Sequence, residues 1–194
     1  MLQPRAFWYL RHGETDWNAR ELSQGNIDVP LNDVGLAQAR TAAGLLRTRG
    51  IRSIVASPLS RAYDTARIVA EPLGLPVEVE EGLREVSFGS QEGQPMAGWF
   101  NEWIAGTMTP EGAESFADLR VRAVEAVNRA LARPAPVLIV AHGALFRALR
   151  TAMGLLPDVR LVNGVPLFCE PGTPQGTPQG APQGAPWTLT PAGG

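Results

Sequence analysis

Apolar positions along the chain follow two alternating rhythms. FWYL at 7–10, IVA at 54–56, VEV at 77–79 and VLIVA at 137–141 are short runs that predict strands. The last is apolar throughout, as a strand buried on both faces must be. Between the runs the spacing turns helical. Leu36, Ala39, Ala43 and Leu46 share one face of a helix that Asn32 can cap and Gly50 can end. Ser57-Pro58 supplies a cap and a first-turn proline for a helix running through Ala66 to Val69. Ser115 opens a third, with Phe116, Leu119, Ala123, Val127 and Leu131 at helical spacing, and a short fourth starts at Gly143 and stops at Gly154. This alternation predicts an α/β fold, a three-layer sandwich with a mostly parallel sheet and helices on both faces.

Such sheets place their sites outside the carboxyl ends of the strands. The chain has two histidines, and each follows an apolar run and precedes a glycine: FWYLRHG ends at Gly13 and VLIVAHG at Gly143. His12 and His142 are therefore expected at two strand ends aimed at one place.

Composition narrows the chemistry. The 194 residues suit one medium domain, taken as 1–194, able to bury a sizeable core. A net charge of −2 gives no basic field for nucleic acid or an anionic membrane. All 17 basic residues are arginine, which excludes lysine-dependent chemistry such as a P-loop or a Schiff base. One cysteine, Cys169, rules out an intrachain disulfide and suits a reducing compartment. No apolar stretch is long enough for a signal peptide or membrane span, so the expected setting is cytoplasmic. The histidines and the cysteine lack metal-ligand spacing, so neither a metal nor another cofactor is expected.

The tail differs in kind. A Pro-Gln-Gly unit repeats between Cys169 and Trp187, uncharged and with nothing to pack, and predicts an extended or mobile loop at about 171–186. Its flanks, VPLF and PWTL, can pair as a hairpin that the repeat lengthens.

Arg11 sets a fixed planar donor beside His12. Thr15 and Asn18 follow on the same loop with further donors. Arg61 falls in the first turn of its helix, where backbone N–H groups and the dipole favour an anion, and His142 with Gly143 begins another. Together they describe a pocket for a small dianion such as phosphate.

These residues carry a resemblance. LRHGETDWN resembles the signature of the histidine phosphatase superfamily, also called the phosphoglycerate mutase-like family. QGNIDVPLNDVGLAQA is similar to its segment after the nucleophile, SPLSRAYDTA to its second arginine motif, LREVSFGSQEG to the general-acid segment of its phosphatase branch, and VAHG to its second histidine. Five motifs in the family's order span most of residues 7–150. The resemblance implies that His12 attacks phosphorus, that Arg11, Arg61 and His142 hold the phosphoryl oxygens, and that Glu85 is the acid and then the base. It also implies that Asn18 donates to the same group, with Gln24 and Gly25 at the rim. Gln91 departs from the pattern, standing where phosphatase members often carry an aromatic residue.

The resulting expectation is a metal-independent phosphomonoester hydrolase acting on a small phosphorylated metabolite, with a homo-oligomer as one assembly open to it. Two alternatives stand beside it, a cofactor-dependent phosphoglycerate mutase and a phospho-ligand binding module without turnover. The aromatic stretch PMAGWFNEWIAGTM at 95–108 is expected to divide between helix core and pocket wall.

Overall fold

The computed structural model describes residues 1–172 and 187–193. In chain order the elements are β1 (Phe7–Arg11), the single turn α1 (Asp16–Ala19), α2 (Asp33–Leu46), β2 (Ser53–Ala56), α3 (Ser60–Ala70), β3 (Val77–Val79), α4 (Trp99–Ala105), α5 (Phe116–Leu131), β4 (Val137–Ala141), α6 (Gly143–Ala152), β5 (Pro166–Glu170) and β6 (Thr188–Pro191). The six strands form one sheet in the order β3-β2-β4-β1-β5-β6. Its first four strands are parallel; β5 runs antiparallel to β1, and β6 antiparallel to β5. The mostly parallel α/β sheet expected from the sequence is the one observed.

Strand periodicity distributes the core over both faces. Phe7 and Tyr9 of β1 join Val137 and Ile139 of β4 in a core under α5 and α6, with Val127, Leu131, Leu145 and Phe146. Trp8 and Leu10 join Leu138 and Val140 in the opposite core, under Ala42 and Leu46 of α2 and Ala66 and Val69 of α3. Both central strands are buried on two sides, which is why they read as unbroken apolar runs. A third cluster gathers Val86, Phe88, Phe100, Trp103 and Leu119 around α4. Trp103 is fully buried there, and its Nε1–H donates to the Glu114 carbonyl at 2.9 Å. Emptying such a site costs about 3–5 kcal/mol, so this part of the 95–108 stretch is core.

The hairpin foreseen between VPLF and PWTL exists, with Leu167 opposite Pro191 and Cys169 opposite Leu189. Apart from Pro171 and Gly172, the Pro-Gln-Gly loop lies outside the described residues. One helix start needs correction. Helix α3 begins at Ser60, and Leu59 stands at its cap with no side-chain bond. Ser57 is not the cap: Asp28 Oδ1 accepts the Ser60 N–H at 2.8 Å instead, and the Ser57 hydroxyl is drawn to a histidine.

Candidate active site

β1 and β4 are neighbours in register, Arg11 opposite Ala141, so the chain leaves both strands at the same level. His12 and His142 are the next residues, with ring centroids 5.2 Å apart. The His12 N–H donates to the Ala141 carbonyl at 3.0 Å, extending the ladder into the site. The glycines after them are spatial requirements. A Cβ on Gly13 would lie 2.4 Å from the Gly35 carbonyl oxygen, at the start of α2. One on Gly143 would lie 3.2 Å from Arg11 Nε.

His12 is buried, and its Nδ1 faces the Gly13 carbonyl at 2.7 Å. A carbonyl can only accept, so Nδ1 carries the proton and Nε2 keeps its lone pair. Burial first, then the charges of Arg61 and Arg11, hold its pKa well below 6.5. The imidazole is neutral at pH 7.

His142 is also neutral, for the same leading reason, with Arg61 and His12 next in weight. Its Nε2 lies 2.7 Å from Ser57 Oγ, which in turn accepts the Leu59 N–H at 3.3 Å. Among the described residues no other acceptor meets the buried Ser57 hydroxyl, so its proton is assigned to Nε2, which makes Nδ1–H a donor. Tyr9 fixes the backbone from below, its hydroxyl donating to the His142 carbonyl at 2.8 Å.

The two guanidinium groups are held by backbone carbonyls. Arg61 donates from Nη1 to Ile27 and from Nη2 to Gly25, both at 2.8 Å, and Arg11 donates from Nη1 to Leu161 at 2.7 Å. Burial lowers each to about 10, so both stay charged near neutrality. Among the described residues, the buried side-chain nitrogens with no partner are Arg11 Nε, Arg61 Nε and His142 Nδ1. Leaving such groups unpaired is costly, and an anion bonded by all three removes the cost. Glu85 is buried at the start of α6, where its carboxylate accepts from Ala144 and Leu145 N–H at 2.9 Å and from Val86 N–H at 3.1 Å.

Arg11, His12, Arg61 and Glu85 line one cavity of about 440 Å³, a size that suits a small metabolite. Asn18, Gln24, Gly25 and Gly143 line it too. Asn18 spends its Oδ1 on the Thr15 N–H and on Asn163 Nδ2, which leaves its own amide protons for the cavity. Fully buried, His142 stands outside the lining. Thr15 departs from expectation. It is fully buried away from the cavity, capping α1 by accepting the Asn18 N–H and donating its hydroxyl proton to Gln24 Oε1. Of the aromatic stretch, Met96 and Phe100 reach the cavity, with Phe88 from the preceding segment.

Sequence reasoning missed five residues here. Ser57 was taken for a cap, and Tyr9 was hidden inside an apolar run. Asn163 Nδ2 donates to the His12 carbonyl at 2.9 Å from a loop with no readable signal. Arg147 and Arg160 line the cavity. Arg147 was detectable, one helical turn beyond Gly143 and so on the same face.

A neutral imidazole lining one cavity with two buried guanidinium groups, at the carboxyl edge of a parallel sheet, marks a phosphate-handling α/β protein. The chain belongs to the histidine phosphatase superfamily, branch 1, whose family model matches residues 7–161. A probable phosphoglycerate mutase GpmB from Yersinia enterocolitica is 40% identical over 161 residues, covering 76% of this chain and 74% of the relative. Among solved structures, mycobacterial hydrolase 1 superposes with a TM-score of 0.80 at 32% identity, covering 96% of this chain and 97% of its own. A mycobacterial glucosyl-3-phosphoglycerate phosphatase with inorganic phosphate gives 0.77 at 31% identity, covering 96% and 95%. Family and neighbours support phosphatase activity. Among the described residues, no helix is long and apolar enough to cross a membrane, and no group of three or more His, Cys, Asp or Glu is placed to hold a metal ion.

Proposed function

We propose that this protein hydrolyses phosphomonoesters of a small metabolite through a phosphohistidine on His12. The observation that carries the reading is the freed Nε2 of His12 beside the unpartnered donors of Arg11, Arg61 and His142. His12 Nε2 attacks phosphorus as the bond to the ester oxygen breaks, and Glu85 delivers its proton to that oxygen. Water then attacks the same phosphorus, the P–N bond breaks, and Glu85 takes the water's proton. Phosphoryl transfer needs positioning and charge stabilisation, and the fixed guanidinium groups supply both. On this reading the reaction is metal-independent, and activity survives exhaustive chelation.

The mouth of the cavity supports hydrolysis over retention of the phosphoryl group. Glu21, Met96, Asn101 and Arg160 line it and are exposed, so water reaches the site. The buried Cys169 thiol, pushed above its ordinary value by burial, suits an inert residue in a cytoplasmic protein. Rapid quench with labelled substrate should trap an acid-labile, base-stable label. Label that persists in His12→Ala sinks the intermediate.

A second reading, phosphoglycerate mutase, is favoured by the name of the 40% identical relative. The two separate when 3-phosphoglycerate is supplied with catalytic bisphosphoglycerate. Phosphate release faster than formation of 2-phosphoglycerate supports the hydrolase, and the reverse order the mutase. A binding module without turnover releases nothing from a generic aryl phosphate.

A further inference from the structure

The loop that follows α6 returns to β1 and bonds three successive residues at its end. The Leu161 carbonyl accepts from Arg11 Nη1 at 2.7 Å, and the Gly164 N–H donates to the Arg11 carbonyl at 3.0 Å. Between them, half-buried Asn163 donates from Nδ2 to the His12 carbonyl at 2.9 Å and lies 3.4 Å from the Gly13 carbonyl oxygen. Among the described residues the His12 carbonyl accepts from no other donor. The Gly13 carbonyl is the acceptor that fixes the His12 tautomer through Nδ1. The third neighbour of the Asn163 amide is Asn18 Oδ1, at 3.3 Å, which also accepts the Thr15 N–H. Carbonyl oxygens only accept, so Asn163 must turn its nitrogen toward them. The loop itself is held from outside the site. Pro166 pairs with Leu10 as β5 begins, and Gly164, at a φ of +69°, packs so closely that a Cβ would lie 2.6 Å from that of Gln38.

Resting on the phosphomonoester reading of the site, we propose that Asn163 is a positioning residue for phosphoryl transfer, setting the main chain of His12 and the direction of the Asn18 amide with one nitrogen. Asn163 does not line the cavity; it acts through His12 and Asn18, which do. Holding the His12 and Gly13 carbonyls keeps the imidazole's own acceptor in place, and with it the proton on Nδ1. Donating to Asn18 Oδ1 favours the orientation that leaves the Asn18 amide protons for the phosphoryl oxygens. The opposite orientation would set an oxygen against an anion. Attack on phosphorus is sensitive to such placement, and a shift of about 1 Å can cost on the order of 100-fold.

The test follows p-nitrophenyl phosphate turnover in Asn163→Ala and in the isosteric Asn163→Asp, with folding checked by circular dichroism and urea midpoint. Asn163→Ala should lower kcat about tenfold and change KM by less, the signature of lost positioning and not of lost ground-state binding. Asn163→Asp should be the more damaging, because its carboxylate faces three oxygens; a residue that only filled space would rank the two the other way. If Asn163→Asp does not fold, Asn163→Ala decides, together with Asn18→Ala and the double variant. In that cycle the double variant should lose less than the product of the two single losses, since both act through one amide. Near-native kcat in Asn163→Ala, an Asp variant milder than Ala, or single losses that multiply fully overturns the role. Calorimetric binding of inorganic phosphate gives a readout without turnover, and Asn163→Asp should bind it several-fold more weakly than the native protein. If the native protein hydrolyses no phosphomonoester and that weakening is still seen, the hydrolase reading falls and the control of Asn18 by Asn163 stands. Native hydrolysis with kcat and phosphate binding unmoved in both variants removes the positioning role alone.

Discussion

The Tyr9 hydroxyl is bonded twice to the backbone of His142, donating to its carbonyl at 2.8 Å and accepting from its amide at 3.2 Å. Burial, with the charge of Glu85 second, pushes the phenol well above its ordinary pKa of 10, so it remains a neutral donor. One hydroxyl thus gives the His142 N–H its partner and shares the carbonyl with the Phe146 N–H at the turn from β4 into α6. Tyr9→Phe leaves the buried His142 N–H unpaired and its carbonyl with only the 3.3 Å bond from the Phe146 N–H, and should cost roughly 1–3 kcal/mol in denaturant unfolding, with kcat reduced more than KM is raised. An unchanged midpoint would show that the brace contributes nothing.

The histidines set the acid side of the pH response. Both are held below 6.5, first by burial and then by the charge of Arg61. Below that value the unfolded chain binds protons that the folded chain refuses. Their contribution to stability is therefore complete above about pH 6.5 and declines as pH falls toward the folded values, by at most about 1.4 kcal/mol per unit for each histidine. On the proposed mechanism, His12 stays unprotonated and able to attack over the same window. The acid limb of kcat/KM that belongs to His12 should lie below pH 6.5; a limb at or above it would mean that His12 is solvated and not the attacking group.

Arginine geometry, beyond charge, is the subject of a third prediction. Arg61 spends Nη1 and Nη2 on the Ile27 and Gly25 carbonyls and still presents Nε. A lysine cannot satisfy two carbonyls and an anion in that fork. Arg61→Lys and Arg11→Lys should each lose on the order of 10²–10³-fold in kcat, the scale of one preorganised donor. Near-native turnover in either variant removes that residue from the phosphate site.

Glu85 can be tested through the leaving group. Glu85→Gln keeps the shape but has no proton to deliver. Alkyl phosphates, whose leaving oxygens need that proton, should lose about 10²–10⁴-fold, and p-nitrophenyl phosphate much less in its first half-reaction. Equal losses on both substrates in single-turnover measurements would assign Glu85 to structure at the head of α6.

What the sequence made legible was whatever lay within a few residues. The β1 and β4 runs are apolar because both faces are covered, and Asn32 caps α2 because its Oδ1 accepts the Gly35 N–H at 2.9 Å, three residues on. The five family motifs marked His12, Arg11, Arg61, Glu85 and His142, and the fold brings these together. Errors came where a side chain found a partner other than the one its local pattern suggested. Ser57 looks like a cap and serves His142, 85 residues away in the chain. Thr15 looked free to meet a ligand and is consumed by its own capping box and by Gln24. Asn163 reaches His12 across 151 positions, a span that no periodicity encodes.

The ladder bond from His12 to Ala141 has a thermodynamic corollary. It sits between the two central strands, among the last amides to exchange with solvent, because breaking it requires the sheet itself to part. The walls around Met96, Arg147 and Arg160 hang on helix surfaces and loops that open by smaller, cheaper fluctuations. The strand-end histidines and the cavity mouth therefore rest on different layers of cooperativity: the first are as durable as the whole domain, and the second is the part that drift, temperature or mild denaturant can alter first.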